Sequence, residues 1–365
     1  MSNNSHLLKL QETFAKAMCP EDVFGGSADM VASSYKDMAK LCHPDRNREH
    51  PDKASEVFQS LGEWLAKAEA RINDGTYGLR KKIAKMTVAW KGGTLGLFSL
   101  IRRTQDFSYY DGEDGNGVPV TVKVSTPKTR NLVEKEFKIL SDLDKAYPYD
   151  HKVWQPFPRP LGVFKMDIGK GIHVPALITT KPQAAVKSME DIRKTYSQGI
   201  DPRDAAWIIN RLSSLVERCN NVGVAHCGLL PTTIDISAEH HTIFVQDWHT
   251  VTKDSGLGDG HTTGDMWECF IPPEVKKKEA LGPCTDLFSI GAIGGWLTSD
   301  FVPYRVGPPP IPGTHVPRQL RGLLKTCCFP SSKTRPYDNA AQFHEEWKAA
   351  LLDLYGPPVF RPFTF

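Results

Sequence analysis

The chain has 365 residues, of which 40% are hydrophobic and 24% are charged, and its net charge is +3 at pH 7. That composition is ordinary for a soluble globular protein, and the nearly balanced charge does not favour a nucleic-acid partner. The eight cysteines show no metal-binding spacing, no apolar run approaches the ~20 residues of a spanning helix, and charges interrupt the N-terminus, which argues against a signal peptide. We therefore expect two or three domains in a cytoplasmic protein without nucleic-acid or membrane partners.

The N-terminal part of the chain has helical patterns. Residues 1–19 predict a short amphipathic helix, and apolar stripes at 27–41 and 52–72 predict two longer helices. The first of these stripes includes Met30 and Leu41. Because a short polar loop joins the two longer helices, we expect them to form an antiparallel hairpin. The loop contains "CHPDRN" and lies beside a basic helix face. Its candidate functional residues are Lys36, Lys40, His43, Pro44, Asp45 and Arg46.

Residues 20–76 resemble a J domain, the module of DnaJ-type co-chaperones. The resemblance is carried by "VFGG" before the first long helix, by Tyr35 in "SSYKDMAKL" and by the HPDRN loop between two helices. It implies that His43, Pro44 and Asp45 engage a DnaK-type ATPase chaperone and that the neighbouring basic residues steer its approach. A simple helix stop would also explain Pro44 and Asp45, so an unrelated helical hairpin remains the alternative.

A basic segment at 77–85 predicts a solvated linker. Beyond it, alternating β-branched residues predict strands, with a hairpin turn at 111–117 and a helix by spacing. The expected strands are 86–90, 95–101, 118–124, 159–165 and 174–180, and the expected helix is 131–143.

The second half of the chain changes character. A long helix is expected at 202–223, and the remainder is expected to be mainly helical, with a Pro-rich loop at 306–317. Strands followed by helices predict an α+β domain of two lobes, 86–180 and 181–350. The aromatic tail at 351–365 is expected to pack back on its own domain.

Three charged residues form a candidate nucleotide site. Lys123 lies in a predicted strand, Glu136 lies in the next predicted helix, and Asp247 follows a later apolar strand. An ammonium group suits the phosphates, one carboxylate can hold that ammonium, and a second carboxylate can bind Mg²⁺. Each residue alone could be a surface charge, but their order predicts binding of ATP and Mg²⁺.

Residues 86–350 resemble a protein-kinase-like domain. In the family's order, Lys123 matches the strand lysine and Glu136 the helix glutamate, while "AHCGLLPTTI" matches the catalytic loop and "QDWH" the metal-binding motif that contains Asp247. Further along, "IPPEV", "TDLFSIG" and "RPYDNAAQF" match three later motifs. The resemblance implies that Glu274 and Arg335 form an internal ion pair and that Asp286 holds the backbone of the catalytic loop.

The chain departs from the kinase pattern where the chemistry is most demanding. Gly228, two residues after His226, stands where the family has its catalytic aspartate, and Thr233 stands where it has a metal-binding asparagine. Loss of a general base typically lowers a rate by about 10²–10⁴-fold. The segment 97–111, where the glycine-rich loop is expected, contains no glycine. These departures favour a pseudokinase with weak affinity for ATP and Mg²⁺.

Without those glycines, Arg102 or Arg103 would have to contact the phosphates through its side chain. The order of J domain, kinase-like domain and "LYGPPVFRPF" end also resembles uncharacterised bacterial and phage J-domain proteins. These features suggest a co-chaperone that recruits and stimulates a DnaK-type ATPase, with the kinase-like domain as a regulatory scaffold or a binding site for an unknown client. The alternatives are an active or atypical ATP-dependent protein kinase targeted by its J domain, a nucleotidyl transferase of similar fold, and a nucleotide-independent interaction scaffold.

Overall fold

The computed structural model describes residues 3–17, 20–25, 28–73, 77, 86–148, 155–182, 186–261, 263, 266–302 and 307–364. The chain divides into two compact units, Met1–Ile83 and Ala84–Phe365. Apart from Tyr77, the segment predicted as a basic linker lies outside the described residues.

The first unit is helical. Its two long helices begin and end within one residue of the bounds that the apolar stripes predict. Helix α2, which is short, was not predicted. The helices are α1 (Asn3–Lys16), α2 (Pro20–Phe24), α3 (Ala28–Cys42) and α4 (Pro51–Asn73), and a 3₁₀ turn (Pro44–Arg46) lies between α3 and α4.

The core of the first unit is formed by residues of all four helices, with α1 and α4 contributing the most. Leu7, Cys42 and Leu61 are completely buried there. Within α3 the buried residues are Val31 and Cys42, whereas Met30 and Leu41 are about half exposed. The sequence pattern placed Met30 and Leu41 on the apolar face, and that prediction was wrong because the neighbouring positions turn toward the core.

The second unit begins with a six-stranded sheet in which every neighbouring pair is antiparallel. Its strands are β1 (Met86–Trp90), β2 (Gly93–Arg103), β3 (Phe107–Asp114), β4 (Pro119–Ser125), β5 (Pro160–Asp167) and β6 (His173–Thr180). The strand order is β1-β2-β3-β4-β6-β5. The turn expected at 111–117 begins only after Asp114, because β3 continues to that residue and pairs with β4 from Phe107 to Glu113.

Helix α5 (Arg130–Ala146) packs on this sheet. Val133, Leu140 and Leu143 recur on one face of the helix and are completely buried. They belong to the same apolar cluster as Phe107 of β3 and Leu177 of β6. This packing brings the buried Glu136 of α5 to the face of the sheet that carries Lys123.

The remainder of the second unit contains most of its helices and five short strands. The helices are α6 (Met189–Thr195), α7 (Pro202–Asn221), α8 (Pro273–Lys276), α9 (Leu287–Leu297), α10 (Arg318–Cys327) and α11 (Ala340–Tyr355). The strands are β7 (Lys187–Ser188), β8 (Val224–Ala225), β9 (Ile234–Ser237), β10 (Thr242–Val245) and β11 (Thr252–Lys253). The prediction that the chain is mainly helical after residue 223 therefore missed β8, β9 and β11, whereas the apolar strand expected before Asp247 is present as β10. Every residue of α9 is buried, as expected for a helix that is apolar on all sides.

The C-terminal tail contacts its own unit, in agreement with the sequence expectation. Helix α11 continues to Tyr355, so the boundary predicted at residue 350 falls inside a helix. Beyond it, Phe363 is buried and stacks on Tyr196, with ring centroids 6.0 Å apart. Phe360 is exposed and stacks on His241 at 4.4 Å.

Across the described ranges, none of the helices has both the length and the apolar character needed to cross a membrane.

Candidate functional site

The His-Pro-Asp sequence lies in an exposed loop whose backbone is held by local contacts. His43 Nδ1 accepts a hydrogen bond from the Asp45 backbone N–H at 3.2 Å, and the His43 ring meets Phe58 edge to face at 5.5 Å. The buried Asn47 side chain donates to the His43 carbonyl at 2.9 Å and also to a carbonyl at the end of α3. Sequence reasoning did not single out Asn47 or Phe58 as supports of this loop.

The basic residues near the loop are exposed. Lys36 and Lys40 lie on α3, and Arg46 ends the 3₁₀ turn. Lys40 Nζ lies 3.2 Å from Asp37 Oδ1, in an ion pair between two exposed side chains. Such pairs contribute little to stability, so Lys40 can exchange this partner for another acidic group at small cost.

Lys123 and Glu136 form a buried ion pair in the second unit. Lys123 Nζ lies 2.6 Å from Glu136 Oε2. The other oxygen, Glu136 Oε1, accepts a hydrogen bond from the Trp248 backbone N–H at 3.0 Å. Burial raises the pKa of Glu136, and the charge of Lys123 opposes that effect. The pair therefore links strand β4, helix α5 and the segment after β10.

Asp247 accepts hydrogen bonds from three side chains. Its Oδ1 atom accepts from the Tyr109 hydroxyl at 2.5 Å and from Lys123 Nζ at 3.1 Å. Its Oδ2 atom accepts from Arg102 Nη2 at 2.7 Å. Sequence reasoning expected Arg102 or Arg103 to reach toward phosphates; Arg102 lines the cleft, whereas Arg103 is exposed and is not among the lining residues. Sequence reasoning did not identify Tyr109. No local pattern marks Tyr109, since its partner lies more than a hundred residues away.

Electrostatics keep Asp247 ionised. Burial alone raises the pKa of Asp247, but the charges of Lys123 and Arg102 outweigh it, and the pKa lies well below its ordinary value. Burial and the Lys123 charge lower the pKa of His249 well below its ordinary value. A neutral His249 ring can therefore accept through Nδ1, which lies 3.0 Å from Lys123 Nζ.

The segment that matches the catalytic loop is held by Asp286. The two Asp286 carboxylate oxygens accept hydrogen bonds from the backbone N–H groups of His226 at 2.6 Å and Cys227 at 2.7 Å. Burial raises the pKa of Asp286 to about 6, although these two hydrogen bonds oppose the rise. Thr250, which lies just before β11, donates its hydroxyl Oγ1 to the His226 carbonyl at 2.9 Å.

Gly228 has no space for the side chain that a kinase carries there. A Cβ atom built on Gly228 would lie 2.5 Å from Thr250 Oγ1 and 3.1 Å from two Thr250 carbons. Thr233, at the position of the metal-binding asparagine, donates its hydroxyl to the Leu230 carbonyl at 3.1 Å. Neither position presents a carboxylate or an amide to the cleft.

Glu274 and Arg335 lie apart from this cleft and contact each other in the interior. Arg335 Nη1 lies 2.6 Å from Glu274 Oε1, and Arg335 Nη2 donates to Glu274 Oε2 at 3.0 Å. Arg335 Nη1 also donates to the carbonyls of Cys284 at 3.1 Å and Thr285 at 3.3 Å. The bidentate pair joins α8 to the segment before α11.

A cleft of about 690 Å³ opens next to the Lys123 cluster. Strands of the sheet form one side of it, and the segments around β7, β9 and β10 form the other. Its charged lining residues are Arg102, Lys123, Lys181, Glu136, Glu190, Asp191 and Asp235. Lys181 Nζ is hydrogen-bonded to Asp111, and Gln246 donates to the buried Asp235.

The groups in the cleft do not fit a Mg²⁺ ion as they stand. Mg²⁺ requires near-octahedral oxygen ligands, and among the residues that the structure describes no three His, Cys, Asp or Glu side chains gather as a metal site. Both oxygens of Asp247 already accept hydrogen bonds, and the Thr233 hydroxyl is turned to its own loop. A metal ion would have to displace Arg102 from Asp247.

Comparison with solved structures shows the fold of the chain. The chain is similar to the kinase domain of a Toxoplasma gondii specific rhoptry antigen, with a TM-score of 0.54 and 15% identity over 74% of this chain and 87% of that one. No family model matches the sequence, and no curated protein matches it. At this identity the likeness concerns the fold alone, and the resemblance of residues 20–76 to a J domain stays a prediction. The chain has a protein-kinase-like fold, which is compatible with the use of ATP and Mg²⁺ and which confirms that part of the sequence interpretation.

Proposed function

We propose that this protein is a cytoplasmic co-chaperone that recruits and stimulates a DnaK-type ATPase chaperone through His43, Pro44 and Asp45. The observation that carries the proposal is an exposed His-Pro-Asp loop with a fixed backbone. The side chains of His43 and Asp45 are 46% and 85% exposed, while hydrogen bonds within the loop hold their backbone. A loop that is already ordered loses little conformational entropy when a partner binds.

The surroundings of the loop suit an acidic partner surface. Lys36, Lys40 and Arg46 are exposed on the same helix and turn. Exposed basic side chains beside a recognition loop raise the rate of encounter with a negatively charged surface, and that effect falls with ionic strength. The proposal therefore includes stimulation that weakens as salt is added.

The kinase-like domain acts in this proposal as a regulatory or client-binding scaffold without phosphotransfer. The Gly228 position has no room for a base, and Asp247 is engaged by Arg102, Tyr109 and Lys123. The buried contacts of Asp286 and of Arg335 with Glu274 maintain the fold regardless of catalysis. The client is not specified by these features.

The test measures ATP hydrolysis by a purified DnaK-type chaperone in the presence of the intact protein. We expect stimulation by the unmodified protein and its loss in His43→Gln, because an exposed imidazole on the loop would no longer meet the partner. His50→Gln is the matched control, since His50 is an exposed histidine seven residues further along the same connection. Equal stimulation by the His43→Gln and unmodified proteins, with unchanged circular dichroism, would contradict the proposal.

An active or atypical protein kinase is the second candidate, and one observation favours it. The Lys123–Glu136 pair, which kinases need for activity, is formed at 2.6 Å. Transfer of labelled γ-phosphate to any protein by the unmodified chain, lost in Asp247→Ala, would support this candidate over the scaffold. An intact chain that neither binds nucleotide nor stimulates the chaperone would instead be an interaction scaffold.

A further inference from the structure

Two contacts hold Arg102 beside Asp247, one with Asp247 itself and one with the ring of Tyr109. Its Nη2 atom lies 2.7 Å from Asp247 Oδ2, and its guanidinium carbon lies 4.1 Å from the centre of the Tyr109 ring. Tyr109 itself donates to the other oxygen of Asp247. The charge-assisted hydrogen bond and the cation–π contact reinforce each other, because both need the same guanidinium position.

The cluster carries no net positive charge that would attract phosphate groups. Lys123 and Arg102 face Glu136 and Asp247, two cations against two carboxylates. The third cation of the lining, Lys181, is paired with Asp111. A nucleoside triphosphate would bring several negative charges to cations that already have partners. Lys123 can contact phosphate while it stays paired with Glu136, as it does in kinases, but Arg102 would have to leave Asp247 for a phosphate or for the metal ion that accompanies it.

The rest of the described lining adds no cation. Its remaining charged residues are Glu190 and Asp191, which pair with Lys194 at 3.4 and 2.9 Å, and Asp235, which accepts a hydrogen bond from Gln246. A cleft whose cations are paired and whose lining also holds carboxylates gives an anionic ligand little net attraction, and an uncharged ligand needs none.

The same cleft offers apolar and hydrogen-bonding surface of the size that a ring system needs. Ile101, Leu177, Phe244 and Trp267 line it, and Thr179 lies among them near the end of β6. A volume of about 690 Å³ lies within the range of small-molecule sites, which are mainly apolar with a few placed polar groups.

We propose that Arg102 is a built-in counter-ion that occupies Asp247 in place of a divalent cation, and that the cleft binds an uncharged heteroaromatic ligand of nucleoside size without metal. The proposal goes beyond the co-chaperone function and does not depend on it. Stimulation of a DnaK-type chaperone involves His43, whereas this ligand site involves Arg102 and Asp247, so either can fail alone.

The test uses isothermal titration of the full-length protein with adenosine and with ATP, each in Mg²⁺ and in EDTA. For the unmodified protein we expect adenosine to bind at least tenfold more tightly than ATP, with the same affinity in Mg²⁺ and in EDTA. In Arg102→Gln the carboxylate of Asp247 is released, so ATP should gain at least tenfold in affinity in Mg²⁺ and not in EDTA. Arg103→Gln, a change to the exposed neighbouring arginine, should behave as the unmodified protein.

Several outcomes would overturn the proposal. Tighter binding of ATP than of adenosine by the unmodified protein, dependent on Mg²⁺, would show that Arg102 does not exclude the cation. Failure of adenosine to bind would show that the cleft does not take an uncharged ring. An unchanged response to Mg²⁺ in a folded Arg102→Gln would remove Arg102 from the argument. If Arg102→Gln does not fold, the titrations of the unmodified protein with the two ligands decide the question.

Discussion

Gly228→Asp returns a carboxylate to the position where kinases carry their catalytic base. We expect this substitution to destabilise the second unit and to produce no measurable phosphotransfer. The Cβ atom of the new side chain would lie 2.5 Å from Thr250 Oγ1. Thr250 must therefore move, and its hydrogen bond to the His226 carbonyl at 2.9 Å would be lost or stretched.

The expected loss of stability follows from three contributions. Overpacking of a well-packed site costs about 1–3 kcal/mol, and loss of one intramolecular hydrogen bond costs roughly 0.5–1.5 kcal/mol. Replacing a glycine restricts the unfolded chain, which offsets about 0.4–1 kcal/mol where the backbone accepts a side chain, as it does here because Gly228 has no positive φ. The net expectation is a destabilisation of about 2 kcal/mol.

Urea denaturation followed by tryptophan fluorescence measures this loss. Seven of the eight tryptophans follow residue 84, so the signal reports mainly on the second unit. Thr250→Ala is the matched partner variant, because it removes the hydroxyl that the new Cβ would meet. We expect Gly228→Asp with Thr250→Ala to be less destabilised than the sum of the two single variants.

A Gly228→Asp protein as stable as the unmodified chain would refute the steric argument. Additive effects of Gly228→Asp and Thr250→Ala would refute it as well, because the two positions would then not interact. A labelled-phosphate assay tests the second half of the prediction. Phosphotransfer by Gly228→Asp at a rate above about 1 s⁻¹, at the low end of kinase rates, would show that the missing base was the only defect.

Two further predictions concern buried charges in the second unit. Arg335→Leu should lower the free energy of unfolding by about 3–5 kcal/mol, because Glu274 would keep a buried charge without its partner, and additional Glu274→Leu should recover part of this loss in urea denaturation; no recovery would contradict the pairing. Burial raises the pKa of Asp286 from 3.8 to about 6, so the folded chain binds this proton more tightly and the contribution of Asp286 to stability falls as pH rises from 3.8 to 6. This pH dependence of the free energy of unfolding amounts to about 3 kcal/mol, and Asp286→Asn should remove it. Urea denaturation at pH 4 and at pH 7 measures it; an equal change in the free energy of unfolding in both proteins would argue against the prediction.

The sequence by itself determined most of the regular elements. Helices α3, α4, α5 and α7 could be predicted because apolar residues recur every three or four positions along each of them, and that local period is preserved in the fold. The strand that carries Lys123 and the strand that precedes Asp247 could be predicted because short runs rich in β-branched residues are typical of strands. The kinase-like fold followed from the order of short motifs along the chain, without any knowledge of contacts.

Weak or non-local patterns limited that prediction. Strands β8 and β11 have two residues each, too few for an alternation to be recognised, and they form only because their partner strand is supplied by the fold. The exposure of Met30 and Leu41 could not be predicted either. In a helix of mixed composition several stripes are possible, and only the packing against α1, α2 and α4 selects the one that is buried.

Only the tertiary structure decided what surrounds the candidate site. Arg102 and Tyr109 contact Asp247 across 145 and 138 residues of chain, and no spacing rule connects side chains that far apart. The side chain that would clash with a Cβ atom at Gly228 is that of Thr250, which belongs to a different segment of the chain. Sequence indicates which chemical groups are present, but the strand pairing and helix packing decide which of them meet, because contacts across a folded core are independent of distance along the chain.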